Sequence, residues 1–553
     1  MAEKAEEGAA QSSLHEDVHD TSSEARRAKM RAMVEADLLD TRYSQTKRGL
    51  KSRHIQMMAL GGTIGTGLFV GSGQALAIGG PAFLLGAYTF MGFVIFLAVT
   101  AIAEVAAYLP VHGATMSYYA YRYVSRSMGF ALGYLYWYSM GILVPNEVTA
   151  AALVINYWHP NVHVAVWITI FLVVIILLNV LPVQFYGESE FWFAGIKVIT
   201  LIGLLFLGVI LFFWGGPGGR DMLGFHYWKY PRAANTYVVS GHAGRFVALL
   251  QCIVLSAFAF LFAPELIVTT AGEVESPRQN IPRAARRFFY RLVFFYIFSV
   301  LVIGVICPSN LDDLTSGGEG AGSSPFVLGI KLAGIPVLDS IVNAVILTSA
   351  WSSGNSYLYM SSRSLYSLAV AGNAPSIFKA CNRYGLPYVA VGTSALFSGL
   401  AYLSVSNNSG QVFNWLVSLT NESAFISWTC CCIVHFRFIK AVKLQGAEMP
   451  YKSSLQPLGA RFGIFAFVFL ILINGFINFF PSQWSVSGFF TSYVGLLAFV
   501  VVYGCHRFVY RKDPWMWPAD DIDLVTGLDE TLAAEKPLKK HTGIMRYVCA
   551  IWE

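Results

Sequence analysis

Between residues 55 and 507 long apolar runs alternate with short polar ones, and each apolar run has roughly the 20 residues a helix needs to cross a bilayer. The runs lie near 55–76, 81–103, 130–157, 164–183, 191–214, 246–272, 288–307, 335–358, 387–406, 412–434, 462–481 and 487–507. The pattern predicts an all-α integral membrane protein with about twelve spanning helices, and an even number puts both chain ends on one side. Two runs are interrupted. The first holds Gly61, Gly62, Thr63, Ile64, Gly65, Thr66 and Gly67, then Gly71 and Gly73, and each glycine costs a helix about 1 kcal/mol relative to alanine. The sixth reads Phe258-Ala259-Phe260-Leu261-Phe262-Ala263-Pro264-Glu265, and its proline removes a backbone donor where a carboxylate sits at membrane depth.

A break inside hydrocarbon leaves N–H and C=O groups that only protein or a watery cavity can satisfy. The half-helix starting near Gly65 to Gly67 presents free N–H groups and the positive end of its dipole, which suits a carboxylate. The plainer alternative is that the glycines only let helices pack closely. At the second break Glu265 either faces a polar interior or is a protonated acid bonded to a neighbouring helix beside a proline kink. Five spans separate the two breaks. A second copy of a five-helix unit would enter the membrane upside down, giving inverted repeats over roughly 55–214 and 246–434, with 462–507 as extra helices.

Composition supports the membrane assignment. Of 553 residues 55% are hydrophobic and 13% charged, and the mean hydropathy is +0.54. Basic residues gather in loops on one side, among them Lys47, Arg48, Arg122, Arg126, Arg437, Lys440, Arg507 and Arg511, which predicts that both tails are cytoplasmic. The chain divides into a disordered tail over 1–46, a transporter domain over 47–511 and a second tail over 512–553. The second tail, with Pro514-Trp515-Met516-Trp517-Pro518, is expected to dock at the membrane surface or serve trafficking, and both tails are places for trafficking or ubiquitin machinery. The first span has to act as the targeting signal, since no h-region precedes it. No metal-ligand spacing, CxxC pair, nucleophile–base pair or phosphate loop occurs, so neither metal nor cofactor is expected, an enzyme is set aside, and the net charge of +6 reports topology rather than a nucleic-acid partner.

The polar residues within spans are the remaining candidates. Lys197 lies several residues into an otherwise uncharged span, where a lysine costs at least about 2.5 kcal/mol at the helix centre. It either snorkels to the inner face or serves as a group that loads and releases a proton. Ser352, Ser353 and Asn355 of the eighth span face the first break or bond their own helix. Glu422 of the tenth either lines a cavity or reaches water at the outer end. Glu104 is expected to snorkel or pair with a basic loop residue, and the deeper Glu147 is open. Phe258, Phe260 and Phe262 are either packing residues or a gate over the cavity.

Several stretches resemble fungal amino acid permeases: Gly61 to Gly73, Ala103-Glu104-Val105-Ala106-Ala107-Tyr108-Leu109-Pro110, Gly187-Glu188-Ser189-Glu190-Phe191-Trp192-Phe193 with Lys197, Ala271-Gly272-Glu273 followed by Pro277-Arg278 and Ile281-Pro282-Arg283-Ala284, and Asn343 to Ser367. These permeases belong to the amino acid–polyamine–organocation superfamily, and the resemblance runs from about Arg53 to Gly527. It implies the LeuT-type fold with discontinuous first and sixth helices, and secondary transport that imports amino acids with protons across the plasma membrane. Gly62, Thr63, Ile64, Gly65, Thr66 and Gly67 with Phe260, Phe262, Ala263 and Glu265 then hold the substrate backbone. Lys197 resembles a fifth-helix lysine that takes the place of a sodium ion between helices 1 and 8, while Ser352, Ser353 and Glu422 are cavity or ion-site candidates. The chain departs from the family at Phe262-Ala263-Pro264, where a glycine is usual, and at Ser418 to Ser423. Pro264 and the bulky phenylalanines point to a restricted pocket and to neutral amino acids, proline included; a broad-range permease and a non-transporting amino acid sensor are the alternatives.

Overall fold

Chains of Leu, Ile, Val, Phe and Ala that must satisfy their own backbone groups in lipid have the α-helix as their open choice, and among the described residues every regular element is helical. The computed structural model describes residues 28, 32, 65–110, 115–158, 161–217, 221–229, 232–261, 265, 277–311, 314, 324–407 and 409–533. Gly62, Thr63, Ile64, Phe262 and Ala263 of the expected site, nearly all of 1–46, and 534–553 lie outside the described residues.

A π-helical turn, Gly67–Gly71, leads into α1 (Ser72–Tyr108), which carries the rest of the first span and all of the second across a kink at Gly80. Gly80 has φ +77°, and a Cβ there would lie 2.8 Å from the carbonyl oxygens of Arg232 and Ala233, so a side chain is excluded twice over. The loop at 232–235 is bonded to this turn: Ala82 N donates to Ala233 O, Asn235 N to Gly79 O, and Asn235 Nδ2 to Ala77 O, at 2.9 to 3.0 Å. The chain continues through α2 (Met116–Tyr123), α3 (Arg126–Ile155), α4 (Val164–Val180), α5 (Val183–Trp214), α6 (Gly241–Ser256), α7 (Pro277–Leu292) and α8 (Phe298–Ile306). Then follow α9 (Pro325–Ala333), α10 (Leu338–Val370), α11 (Tyr388–Ala395), α12 (Ser409–Gln445), α13 (Leu458–Ile473) and α14 (Val486–Val509).

Among the described residues seven helical stretches are long and apolar enough to cross a membrane, and three shorter apolar helices join them. The long α10 is not among them because it is rich in serine. Its Ser349, Ser352, Ser353, Asn355, Ser356 and Ser361 are all buried, so their partners are protein. α10 packs along α3 at the centre. α5 shows how the outer helices are patterned. Trp192, Ile199, Phe206 and Phe213, seven residues apart, form an exposed apolar stripe, while Glu190, Lys197, Leu204 and Leu211 repeat on the same spacing and are buried. The stripe suits lipid, and the buried row is what the bundle receives from this helix.

At the end of the bundle where α1 finishes, Glu104 is fully buried and does not snorkel: His435 Nε2 of α12 lies 2.6 Å from its Oε2, and Ser453 N donates to its Oε1 at 2.6 Å. The first part of the C-terminal tail also departs from expectation. Trp517, Ile522, Asp523 and Leu524 are buried against the protein at this same end, where a membrane-surface segment was expected. The ends of α2, α12 and α14 meet here, so we call it the tail face.

Candidate functional site

The two interrupted helices touch at their breaks. Before α1 the chain turns at Gly65, whose carbonyl accepts from Leu68 N at 3.2 Å and Phe69 N at 3.4 Å. The loosened π turn over Gly67–Gly71 follows. In the sixth span α6 gives way to a tight 3-10 turn, Ala257–Phe260, and Leu261 at φ −52°, ψ 132° leaves the helix altogether, three residues before Pro264. A Cβ on Gly67 would lie 2.8 Å from Ala259 Cα and 2.9 Å from Phe258 O, so only glycine lets these backbones meet. A Cβ on Gly65 has ordinary room, 3.5 Å from Ser353 Oγ and 3.9 Å from Glu147 Oε1. Among the described glycines of the first span, Gly67 packs against backbone, Gly71 against the Phe258 ring, and Gly65 has space beside it.

That space is a small pocket lined by Gly65, Gly67, Glu147, Phe258, Ala259, Leu261 and Tyr357. Glu147 enters it from α3. Its Oε1 accepts from Thr66 Oγ1 at 2.9 Å, and its Oε2 is buried with no partner among the described residues. A buried carboxylate oxygen without a donor, on a residue that lines a cavity, is an invitation to a cationic or N–H-bearing guest.

Behind the pocket the buried row of α5 meets α10. Lys197 Nζ donates to Ser353 Oγ at 3.2 Å, and Ser352 Oγ donates to Glu190 Oε2 at 2.8 Å. Glu190 and Glu147 are the acids whose charge reaches Lys197. With 1% of its surface exposed, Lys197 is an interior lysine and not a snorkelling one. Ser353 touches both Lys197 and the space beside Gly65, which is where the resemblance puts an ion-site substitute between helices 1 and 8.

Other expected residues are placed elsewhere. Phe260 is buried in an aromatic stack, its ring 4.8 Å from Tyr296 and 5.8 Å from Tyr88, and packs behind the break without lining the pocket. Glu422 lies on α12 against Gly495 of α14 and beside Asn474, away from the pocket. Glu265 is buried with its Oε1 2.6 Å from Ser427 Oγ, and that hydroxyl is 2.9 Å from Tyr136 OH. The acid thereby ties the sixth span to α12 and α3. Glu265→Leu should cut transport more deeply than Glu265→Gln, because leucine leaves the buried Ser427 hydroxyl short of its acceptor, a penalty of about 1–3 kcal/mol, whereas the amide keeps one oxygen. Uptake normalised to surface delivery measures this; equal, near-wild-type rates in both variants would make Glu265 a bystander.

The sequence alone leaves Glu147 open and assigns Glu190 no role. Glu190 had a signal: it precedes Lys197 by seven residues, which is two turns, and so shares its face. Tyr136 and Ser427 had none, since a buried hydroxyl in an apolar run looks like any other.

The sequence profile of the amino acid permease family matches residues 54–518. A proline-specific permease of Emericella nidulans is 47% identical over 494 residues, covering 88% of this chain and 90% of that one. A proline-specific permease of Saccharomyces cerevisiae is 43% identical, covering 89% and 80% respectively. A lysine-specific permease of Saccharomyces cerevisiae is 40% identical, covering 86% and 78%. Among solved structures, a manganese transporter of Eremococcus coleocola superposes with a TM-score of 0.51 at 12% identity, covering 83% of this chain and 94% of that one. At such low identity the likeness concerns the fold alone.

Proposed function

The chain belongs to the amino acid permease family, and on that footing we propose that it is a secondary transporter importing neutral amino acids, proline foremost, with protons across the plasma membrane. The observation that carries the coupling part is the buried Lys197–Ser353 pair set against the first-span break, with Glu147 opening into the pocket on the other side. The substrate carboxylate meets the N–H groups at the start of the helix beginning at Gly67, with Gly65 and Thr66 beside it. Its amine, which keeps two N–H donors in proline, meets Glu147 Oε2. The walls, Phe258, Leu261 and Tyr357, take an apolar ring.

Charge argues for a neutral guest. Glu147 is the sole charged residue lining the described pocket, and the substrate amine occupies it, so a second carboxylate or a second ammonium on the substrate finds no counter-ion. This agrees with the proline-specific relatives standing at higher identity than the lysine-specific one. The proton resides on Lys197 Nζ, where Ser353 accepts one N–H; occupation of the first-span break beside it and the shift between outward- and inward-facing states decide whether it is held or released. The basic residues of the tail face support a cytoplasmic orientation of that face and of both tails, and twelve spans in two inverted five-helix units with two extra helices complete the proposed architecture. Trafficking or ubiquitin machinery would act on the tails there.

Uptake of radiolabelled proline by cells lacking their own permeases, with a panel of unlabelled competitors, tests the reading. Proline should be concentrated more strongly at acidic external pH and displaced best by small neutral amino acids. Equal displacement by lysine and aspartate would make the chain a broad-range permease, and binding without uptake a sensor.

A further inference from the structure

The start of the C-terminal tail, 512–527, has two prolines, four aspartates and no helical period, yet it is built into the tail face as closely as a core element. Arg122 of α2 is wholly buried there. Its Nε donates to Asp523 O at 2.7 Å, its Nη2 to Thr526 O at 2.9 Å and its Nη1 to Tyr118 OH at 2.9 Å, and it pairs with Asp523 Oδ2 at 3.1 Å. Asp523 Oδ1 in turn accepts from Val525 N at 3.0 Å and Thr526 N at 3.1 Å, closing a tight turn around the carboxylate. Burial works against the charge on Asp523, but Arg122 and the two backbone N–H groups outweigh it and hold the acid below its ordinary range. Tyr108, Tyr118 and Tyr123 are the other titratable groups facing this pair. Asp523 therefore stays ionised across cytoplasmic pH, and the contact is no pH switch.

The segment has three anchorages. Tyr108 OH, at the end of α1, donates to Leu524 O at 3.2 Å. Around α2 and the turn into α3, Trp517 Nε1 donates to Tyr121 O and Trp517 N to Val124 O, both at 2.8 Å, beside the Arg122 contacts. On α12, Gln445 Nε2 donates to Ile522 O at 2.8 Å and Arg437 bonds Trp517 O. α1 is continuous with the turn at Gly65–Gly71 that shapes the pocket, whereas α3 and α12 pack on each other. The segment thus crosses the seam between the element bearing the pocket turn and the scaffold around it. Trp517, Ile522 and Leu524 pack into the apolar core, and the hydrogen bonds and the ion pair that join them can be exchanged for water when a seam opens.

We propose that Trp515–Gly527 is the inner gate's strap: docked, it holds the tail face shut, and it detaches from α1 or from the Arg122 socket when the pocket opens to that side. The proposal rests on the transporter reading. Its test uses the full-length chain in liposomes with Asp523→Asn, which keeps the shape and removes the charge, and Arg122→Lys, which keeps the charge and gives up the fork. With the strap weakened, the inward-open state gains population. Asp523→Asn should raise the KM for proline entering at the face opposite the tail about three- to tenfold and speed efflux through the tail face by a similar factor, both read per folded molecule, with Arg122→Lys intermediate. A lower melting temperature with unchanged KM and efflux per folded molecule would make the segment a passive brace, and no change in any reading would remove it from the cycle; either result overturns the gate. Failure of the wild-type liposomes to move any amino acid would instead overturn the transporter reading and the gate with it.

Discussion

Accumulation of substrate against a gradient should collapse in Lys197→Met while exchange of substrate across the membrane persists. Methionine matches the length of lysine and fills the same buried slot without a titratable atom, so the packing of α5 against α10 is largely kept and the proposed proton carrier is removed. One proton moving down about two pH units releases about 2.7 kcal/mol, enough for roughly a hundredfold accumulation, and this is the quantity at stake. Ser353 loses its Nζ donor, but its hydroxyl can turn to another acceptor, and the Thr66–Glu147 contact on the pocket side is untouched. The measurement is the steady-state accumulation ratio at acidic and near-neutral external pH, normalised to protein at the surface. A variant that still concentrates substrate with the wild-type pH dependence excludes Lys197 as the coupling group.

Uptake should likewise be abolished in Gly67→Val and strongly reduced in Gly67→Ala, with surface delivery kept at least in the alanine variant. The first added carbon meets backbone, Ala259 Cα at 2.8 Å and Phe258 O at 2.9 Å, and backbone cannot rotate aside as a side chain does. Overpacking of this kind typically costs about 1–3 kcal/mol, and here the strain is released by separating the two breaks whose contact forms the pocket. Gly65→Ala is the comparison that gives the result meaning, because its Cβ meets Ser353 Oγ at an ordinary 3.5 Å. It should fold and reach the surface as wild type does. Equal uptake by Gly67→Val and wild type would show that the breaks are not held together as described.

Family and fold class were legible from the sequence because their signals are repeated many times: apolar runs of spanning length, a basic bias on one side, and motifs spread from Arg53 to Gly527. The breaks were legible because glycine and proline act on the backbone itself. Less legible was which glycine does what, since Gly65 and Gly67 look alike until Ala259 is placed against one of them. Phe260 and Glu422 carried the right chemistry for a cavity and turned out to face other neighbours, for helix rotation within a bundle is set by contacts that no single span contains. The serine-rich α10 was predicted to end near 358 and continues to Val370, because buried protein partners let a helix go on where hydropathy alone stops it. Least visible was the docking of residues 515–527, which depends on Arg122, a residue some 400 positions earlier.

The kink at Gly80 has a mechanical meaning. Bonds from the loop at 232–235 fasten the hairpin at that point, while the far end of the arm, at Tyr108, is held through Leu524 and, one turn earlier, through Glu104. At about 1.5 Å of rise per residue the arm from Pro81 to Tyr108 is about 40 Å long, so a tilt of about 10° about its fastened end displaces Tyr108 by about 7 Å and the residues next to Gly80 by less than about 1 Å. A rod pinned at one end behaves as a lever. Small angular work done near the fulcrum becomes a large stroke at the opposite face, and a contact placed at the tip resists rotation with the greatest torque for the fewest bonds.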